Sequence, residues 1–142
     1  MAQDPGELAT HLLLQLMTLS GEVAGRMHDG LDRLDLNERT ANLIWLLSPD
    51  AEPQPLRKLA AQLRCDPSNL TLISAKLEER GLAERRPHPE DRRVRTLVLT
   101  EAGRDVRERL IGMVARHSPL GGLNAKEQQH LQTLLAKALT TL

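Results

Sequence analysis

Apolar residues recur at helical spacing along most of the chain. Between residues 7 and 31, Leu8, Leu12, Leu16, Leu19, Val23, Met27 and Leu31 follow one another at steps of four or three, which predicts one long amphipathic helix. Leu13 and Leu14 widen its stripe, and Asp4 and Pro5 precede it as start signals. Gly21, Gly25 and Gly30 lower its intrinsic propensity, so packing has to hold it. A second helix is predicted over 37–48, with Asn37 as its N-cap and Leu43, Ile44, Leu46 and Leu47 as its apolar face. Pro49, Pro53 and Pro55 then make 49–55 a connector.

A short helix follows over 56–64, turning Leu56, Leu59, Ala60 and Leu63 inward. Asp66 at an N-cap and Pro67 at the first helical position start the next helix, since proline lacks only an amide that would be orphaned there. That helix runs from Pro67 to Arg80 with Leu70, Ile73 and Leu77 on one face, and Gly81 and Leu82 end it as a left-handed cap and its apolar partner. Two short extended runs, 82–86 and 93–99, flank Pro87, Pro89 and Asp91 and predict a hairpin. Thr100 caps a helix over 101–117 with Val106, Leu110, Met113 and Val114 inward. After a break at Ser118, Pro119, Gly121 and Gly122, Asn124 and Glu127 form a capping-box start for a last helix carrying Leu131, Leu134, Leu135, Leu139 and Leu142. The first and last helices carry broader apolar stripes than a small domain needs, and an intertwined dimer built from them would bury both.

Composition narrows what such a fold can do. The chain has 142 residues, which suits one domain, and its 29 leucines against a single Trp and no Phe or Tyr make the core aliphatic. Stacking platforms for single-stranded nucleic acid need aromatics and are excluded on that ground. One cysteine excludes a disulfide framework and an all-cysteine zinc site. No apolar run approaches the roughly 18 residues that span a bilayer, and no signal-peptide pattern is present, so a cytoplasmic location is expected.

The 19 basic and 19 acidic residues cancel in sum but not in sequence. Residues 1–56 carry 3 basic and 9 acidic residues, net −6, whereas residues 57–95 carry 10 basic and 6 acidic, net +4. The remainder is net +2. An acidic first third and a basic middle suggest that the middle meets a polyanion. That middle combines a short helix, a tight turn, a capped helix and a basic hairpin, the order of a helix-turn-helix followed by a wing. In such an arrangement the second helix enters the major groove with its leading residues at base edges. Ser68, Asn69 and Thr71 are short polar donors on its leading turns, with Leu72, Ala75, Lys76 and, nearer the flank, Ser74 also outward. Asparagine pairs with adenine, threonine touches a thymine methyl, and Leu72 can make apolar contact only. Arg85, Arg86, Arg92, Arg93 and Arg95 can reach phosphates or a narrow minor groove. Asp91, two positions before Arg93, is placed to orient a wing arginine by a charge-assisted hydrogen bond.

These residues bring the chain to a family. Leu59-Ala60 and Leu63, then Asp66-Pro67-Ser68-Asn69-Leu70-Thr71, then Leu77-Glu78-Glu79-Arg80-Gly81-Leu82, then Asp91-Arg92-Arg93, then Leu97-Val98-Leu99-Thr100-Glu101-Ala102-Gly103 follow in order. With this series the chain resembles the MarR family of winged helix-turn-helix transcriptional regulators from about Leu8 to the C-terminus. The resemblance implies a mainly α fold with a small β-hairpin wing. It implies an N-terminal dimerisation helix in 1–35, a DNA-binding domain in 36–100 and C-terminal dimerisation helices in 101–142. It implies a homodimeric repressor on a pseudo-palindromic operator of double-stranded DNA, released by a small-molecule effector in a pocket between dimerisation region and DNA-binding lobe. Pro67, Ser68, Asn69, Thr71, Leu72, Lys76, Arg86, Arg92, Arg93 and Arg95 are the expected DNA contacts, with Asp91 positioning the wing. Leu72, Ser74 and Ala75 stand where the family is commonly richer in charge.

Trp45, as the single ring, and His28 are the candidate effector contacts, with core or dimer packing the alternative role for Trp45. The five histidines lack metal-ligand spacing, so no metal or cofactor is expected, and Cys65 is read as a buried structural thiol. No nucleophile elbow or phosphate loop is present, which argues against an enzyme. A second reading stays open beside the regulator: a helical dimer with this fold acting mainly through protein contacts, with weak or no specific DNA binding.

Overall fold

The computed structural model describes residues 4–142. Its helices are α1 (Pro5–Arg33), α2 (Glu38–Leu46), α3 (Leu56–Gln62), α4 (Pro67–Glu79), α5 (Glu101–His117) and α6 (Ala125–Leu139), and its strands are β1 (Ala83–Pro87) and β2 (Arg95–Leu99). The predicted order of elements is therefore present. The chain divides into two compact units, one formed by His28–Met113 and the other by the segment up to Met27 with Val114–Leu142.

The buried apolar residues belong to the His28–Met113 lobe. Leu43 and Ile44 of α2, Leu59 of α3, Leu70 and Leu77 of α4 and Leu97 of β2 are the most deeply enclosed. Each contributes about 1.5–3 kcal/mol by leaving water. Local chemistry sets where the helices start and stop. Asn37 Oδ1 accepts the Thr40 amide at 2.9 Å, and Thr40 Oγ1 accepts the Asn37 amide, a reciprocal cap. Asp66 occupies the N-cap position of α4 with extended backbone, but its carboxylate makes no capping hydrogen bond; Pro67 alone sets that start. Between α3 and α4 the chain turns through Arg64 at φ 51°, with the Cys65 amide donating to the Ala60 carbonyl at 3.1 Å. This is the paired-carbonyl ending that glycine usually supplies, here formed by an arginine.

Glycine does supply it at the other end of α4. Gly81 sits at φ 68°, its amide donates to Glu78 and the Leu82 amide donates to Leu77, both at 2.9 Å. Leu82 is then held by α5. Its carbonyl accepts the Thr100 amide at 3.0 Å, and the Thr100 hydroxyl donates to the Gly81 carbonyl. The same hydroxyl oxygen accepts the Gly103 amide at 3.1 Å, capping α5. A Cβ on Gly103 would lie 1.9 Å from the Leu82 carbonyl oxygen, so only glycine fits there. Arg80 reaches from the end of α4 to the end of α1, donating to the carbonyls of Leu34 and Asp35 that the helix leaves unpaired.

The wing is an antiparallel pair with Ala83 opposite Leu99 and Pro87 opposite Arg95. Leu97 and Leu99 face inward as expected, but Thr96 is fully buried as well. Its hydroxyl donates to the Arg86 carbonyl at 2.9 Å, and its outer edge is bridged by Pro55.

In the terminal unit, the break after α5 forms a short 3-10 turn, Pro119–Gly122, whose start is capped by Ser118. Asn124 and Glu127 cap α6 reciprocally, at 3.0 and 2.8 Å. Neither α1 nor α6 contains a buried residue among those described. Most of their leucines are exposed instead, from Leu8 at 42% through Leu12 at 50% and Leu13 at 58% to Leu134 at 50% and Leu139 at 58%.

Two substitutions should move stability in opposite directions. Ser74 on α4 is fully buried and its hydroxyl has no hydrogen-bond partner. Ser74→Ala should therefore stabilise the lobe by about 1 kcal/mol, through the lost desolvation penalty and alanine's better helix propensity. Gly103→Ala should destabilise it by about 2–3 kcal/mol, because backbone rather than a flexible side chain must yield. Urea unfolding followed by far-UV circular dichroism reads both.

Candidate nucleic-acid interface

The outward face of α4 is set by what the helix buries. Leu70, Ile73, Ser74 and Leu77 face the core, so Ser68, Leu72, Ala75 and Glu79, at steps of four, three and four, line the opposite face. Ser74 is thus a core residue, not the flanking outward one expected, because it falls between Leu70 and Leu77 on the buried side. Thr71 and Lys76 flank the outward face and are exposed, as is Pro67. Asn69 is half-buried. No acidic residue lies in the first turn of α4 itself, so its leading end presents amides and the positive pole of the helix dipole, with the exposed Asp66 carboxylate beside them at the N-cap.

Thr71 differs from expectation in its chemistry. Its hydroxyl donates to the Pro67 carbonyl at 3.0 Å, one helical turn back. The donor is already occupied, and what Thr71 offers outward is an acceptor oxygen and a methyl group. Spacing alone could not show this, since the same hydroxyl in another rotamer would face solvent.

The wing arginines fall into two sets. Arg85 Nε lies 3.3 Å from Glu78 Oε1, and Arg86 pairs with Glu84. Arg92, Arg93 and Arg95 are exposed and have no ion-pair partner among the described residues. The paired ones remain accessible, and exposed pairs of this kind hold together by no more than about 1 kcal/mol, so they exchange readily for another anion.

The tip of the wing, from His88 to Val94, is ordered by its own backbone. The His88 amide donates to Val94 at 2.8 Å, the Val94 amide to Asp91 at 3.0 Å, and the Glu90 amide to His88 Nδ1 at 3.1 Å. Asp91 Oδ1 accepts the Arg93 amide at 3.1 Å. Asp91 thus bonds Arg93, its expected partner, at the backbone amide, and leaves the guanidinium unengaged. Arg57 and Lys58, exposed in the first turn of α3, add two cations that the motif reading passed over. Their signal was present in the basic 57–95 segment.

The other singled-out residues lie apart from this surface. Trp45 is 52% exposed, with the Arg107 guanidinium carbon 5.4 Å from its ring centroid and Arg107 Nη2 donating to the Trp45 carbonyl at 3.3 Å. His28 lies 3.5 Å from Asp32 on the same exposed helix face. Neither side chain lines the hollow of about 230 Å³ between Leu47, Gln54, Arg86 and Arg104, or that of about 370 Å³ beside Asp35 and Arg80. Cys65 is partly exposed, not buried, because it sits in the turn leading into α4. Among the described residues no three His, Cys, Asp or Glu side chains gather as a metal site, and no helix is long and apolar enough to cross a membrane.

The model of the MarR family matches residues 43–94, from α2 through the wing tip. Over 139 residues the chain is 27% identical to the organic hydroperoxide resistance transcriptional regulator of Bacillus subtilis (strain 168), covering 98% of this chain and 94% of that protein. Among solved structures, CouR from Rhodococcus jostii RHA1, bound to p-coumaroyl-CoA, is 27% identical with a TM-score of 0.79, covering 94% of this chain and 93% of CouR. A MarR family transcriptional regulator from Rhodococcus sp. RHA1 is 26% identical with a TM-score of 0.73, covering 94% of each chain. The two findings agree: residues 43–94 match the MarR family model over the helix-turn-helix and wing, and nearly the whole chain is similar to transcriptional regulators of that type.

Proposed function

We propose that this regulator is a homodimeric, sequence-specific repressor that binds a pseudo-palindromic operator and is released by a small-molecule effector. The observation that carries the DNA reading is the set of unpaired guanidinium groups of Arg92, Arg93 and Arg95 on a backbone-ordered wing, in the same lobe as the exposed face of α4. The leading turns of α4 enter the major groove with Pro67, Ser68, Asn69, Thr71, Leu72 and Lys76. Arg92, Arg93 and Arg95, joined by Arg86 when it exchanges Glu84 for phosphate, hold the flanking backbone or enter the minor groove.

Dimerisation rests on the exposed leucines of α1 and α6. An apolar surface of this extent on terminal helices is costly in water, and a second copy of the chain is the partner that pairs two such lobes for a two-fold operator. For the effector, Trp45 under Arg107 offers an aromatic face beside a fixed cation, which suits a small anionic or aromatic ligand, with His28 as a further contact. The aromatic, anionic thioester held by CouR is a ligand of that chemical kind.

Binding to the DNA upstream of its own coding region should weaken steeply with salt, log K falling by about 0.9 per neutralised phosphate for each decade of salt. Arg93→Ala should weaken binding to most sequences and lower that slope by about one. Asp91→Ala should also weaken binding by freeing the wing tip, whereas Asp91→Asn, which keeps the acceptor and removes a negative charge, should bind at least as tightly as wild type. Fluorescence anisotropy across a salt series reads all three. Affinity equal to that for random duplex would instead favour action through protein contacts.

The dimer has its own test. Leu12→Glu combined with Leu135→Glu should convert the two-chain species to a monomer in sedimentation velocity, and operator affinity should fall with it. A wild-type protein that sediments as a monomer at micromolar concentration would overturn the homodimer.

A further inference from the structure

We infer that α4 reads thymine methyl groups, with Leu72 and Thr71 as the residues that set this specificity; this rests on the DNA-binding reading above. The outward face of α4 is unusually apolar where it should meet bases. Leu72 is 64% exposed, the most exposed large apolar side chain of the His28–Met113 lobe. It lies mid-face between Ser68 and Ala75, at the steps of one helical stripe. Thr71 beside it has its hydroxyl proton committed to the Pro67 carbonyl, so it donates nothing to a base and exposes its methyl. Neither residue supports the fold from this position: Leu72 packs into no core, and the bond Thr71 makes is local to its own helix.

The chemistry of the groove leaves one match for such a face. Base edges in the major groove present acceptors, amino donors and a single apolar group, the C5 methyl of thymine. Leucine can neither donate to guanine or adenine nor accept from cytosine or adenine. Set against a polar base edge it would desolvate that edge without replacing its hydrogen bonds, which is unfavourable. Set against a thymine methyl, both apolar surfaces leave water together. The charges on α4 restrict where this happens. Glu78 and Glu79 lie at its C-terminal end, whereas the leading half carries a single carboxylate, Asp66 at the N-cap, beside the positive pole of the helix, so that half, with Thr71 and Leu72, is the part better able to approach phosphates and reach base edges.

The experiment uses the full-length protein. Duplexes that bind tightly are selected from a random pool, and the selected duplex is remade with deoxyuridine in place of each thymine in turn, which removes the methyl and changes no hydrogen-bonding group. Anisotropy at fixed salt should show about three- to fivefold weaker binding at one or two positions per half-site, the effect of taking one methyl out of apolar contact. Leu72→Ala should abolish the thymine-over-deoxyuridine preference at one such position. Thr71→Ser, which keeps the hydroxyl and its bond to Pro67, should abolish it at the neighbouring one. Both variants should keep wild-type thermal stability, since neither side chain is buried. Equal binding of every deoxyuridine duplex would overturn the inference while leaving the DNA reading intact, and so would a preference that survives both substitutions. Failure to select any duplex would overturn the DNA reading and this inference with it.

Discussion

The geometry of the reading surface depends on the close approach of Gly103 to the Leu82 carbonyl. Three elements meet within a few residues there: α4 ends at Gly81 and Leu82, the wing begins at Ala83, and α5 starts at Thr100 directly after the wing returns. The Leu82 amide belongs to the end of α4, and its carbonyl accepts the Thr100 amide. The Thr100 side chain caps α5 and also donates to Gly81. One residue larger than glycine at 103 would separate these strands of backbone, and the angle of the wing to α4 would change with them. In the proposed DNA complex little such change would be tolerated, because phosphates held by the wing would fix where the helix meets base edges. The motif Arg80-Gly81-Leu82 and the segment Leu99-Thr100-Glu101-Ala102-Gly103 are therefore two halves of one joint, although they are distant in sequence.

That joint shows why so much of the fold is legible in the sequence. Asn37, Pro67, Gly81, Thr100 and Asn124 each sit where a helix begins or ends, and each does so for a reason confined to a few neighbouring residues. Local rules of this kind need only spacing. What spacing leaves open has the opposite property: a side chain has several rotamers or neighbours within reach. Asp91 could meet a guanidinium or an amide, and it takes the Arg93 amide, since the tip of a tight turn leaves that donor otherwise unpaired. Asp66 could cap α4, but Pro67 already lacks one amide there and the carboxylate makes no bond. Thr71 could face the groove with its hydroxyl and instead bonds one turn back. Ser74 lay on a wheel position between outward and inward, and the packing of α4 on its neighbours put it inward. Residue type and position were legible; rotamer and partner were not.

Charge follows the same division. The chain is neutral overall, and the sum conceals an acidic first third and a basic middle. Structure refines the basic middle further, because Arg85 and Arg86 already neighbour Glu78 and Glu84, while Arg92, Arg93 and Arg95 are unengaged. The number of cations in a segment thus overstates the field it presents. What counts is how many guanidinium groups have no carboxylate of their own, and where the backbone holds them. In this wing they cluster at the tip and the returning strand, on a turn ordered by four backbone amides.

The exposed apolar residues divide in an equally informative way. On α1 and α6 they are many and continuous along the helices, the pattern of a surface that meets another protein over a large area. In the lobe only Trp45 and Leu72 are both large and exposed, and they are isolated among polar neighbours. A single leucine cannot drive protein association, and it contributes nothing to folding when it is 64% exposed. On a helix whose neighbours suit a polyanion, an isolated aliphatic side chain costs little in water and gains only where a partner offers a small apolar group in a polar setting. Duplex DNA offers such groups at defined positions, one for each thymine. The two kinds of exposure on one chain thus suit two kinds of contact: a broad one, in which area would supply affinity, and a narrow one, in which a methyl group would supply selectivity.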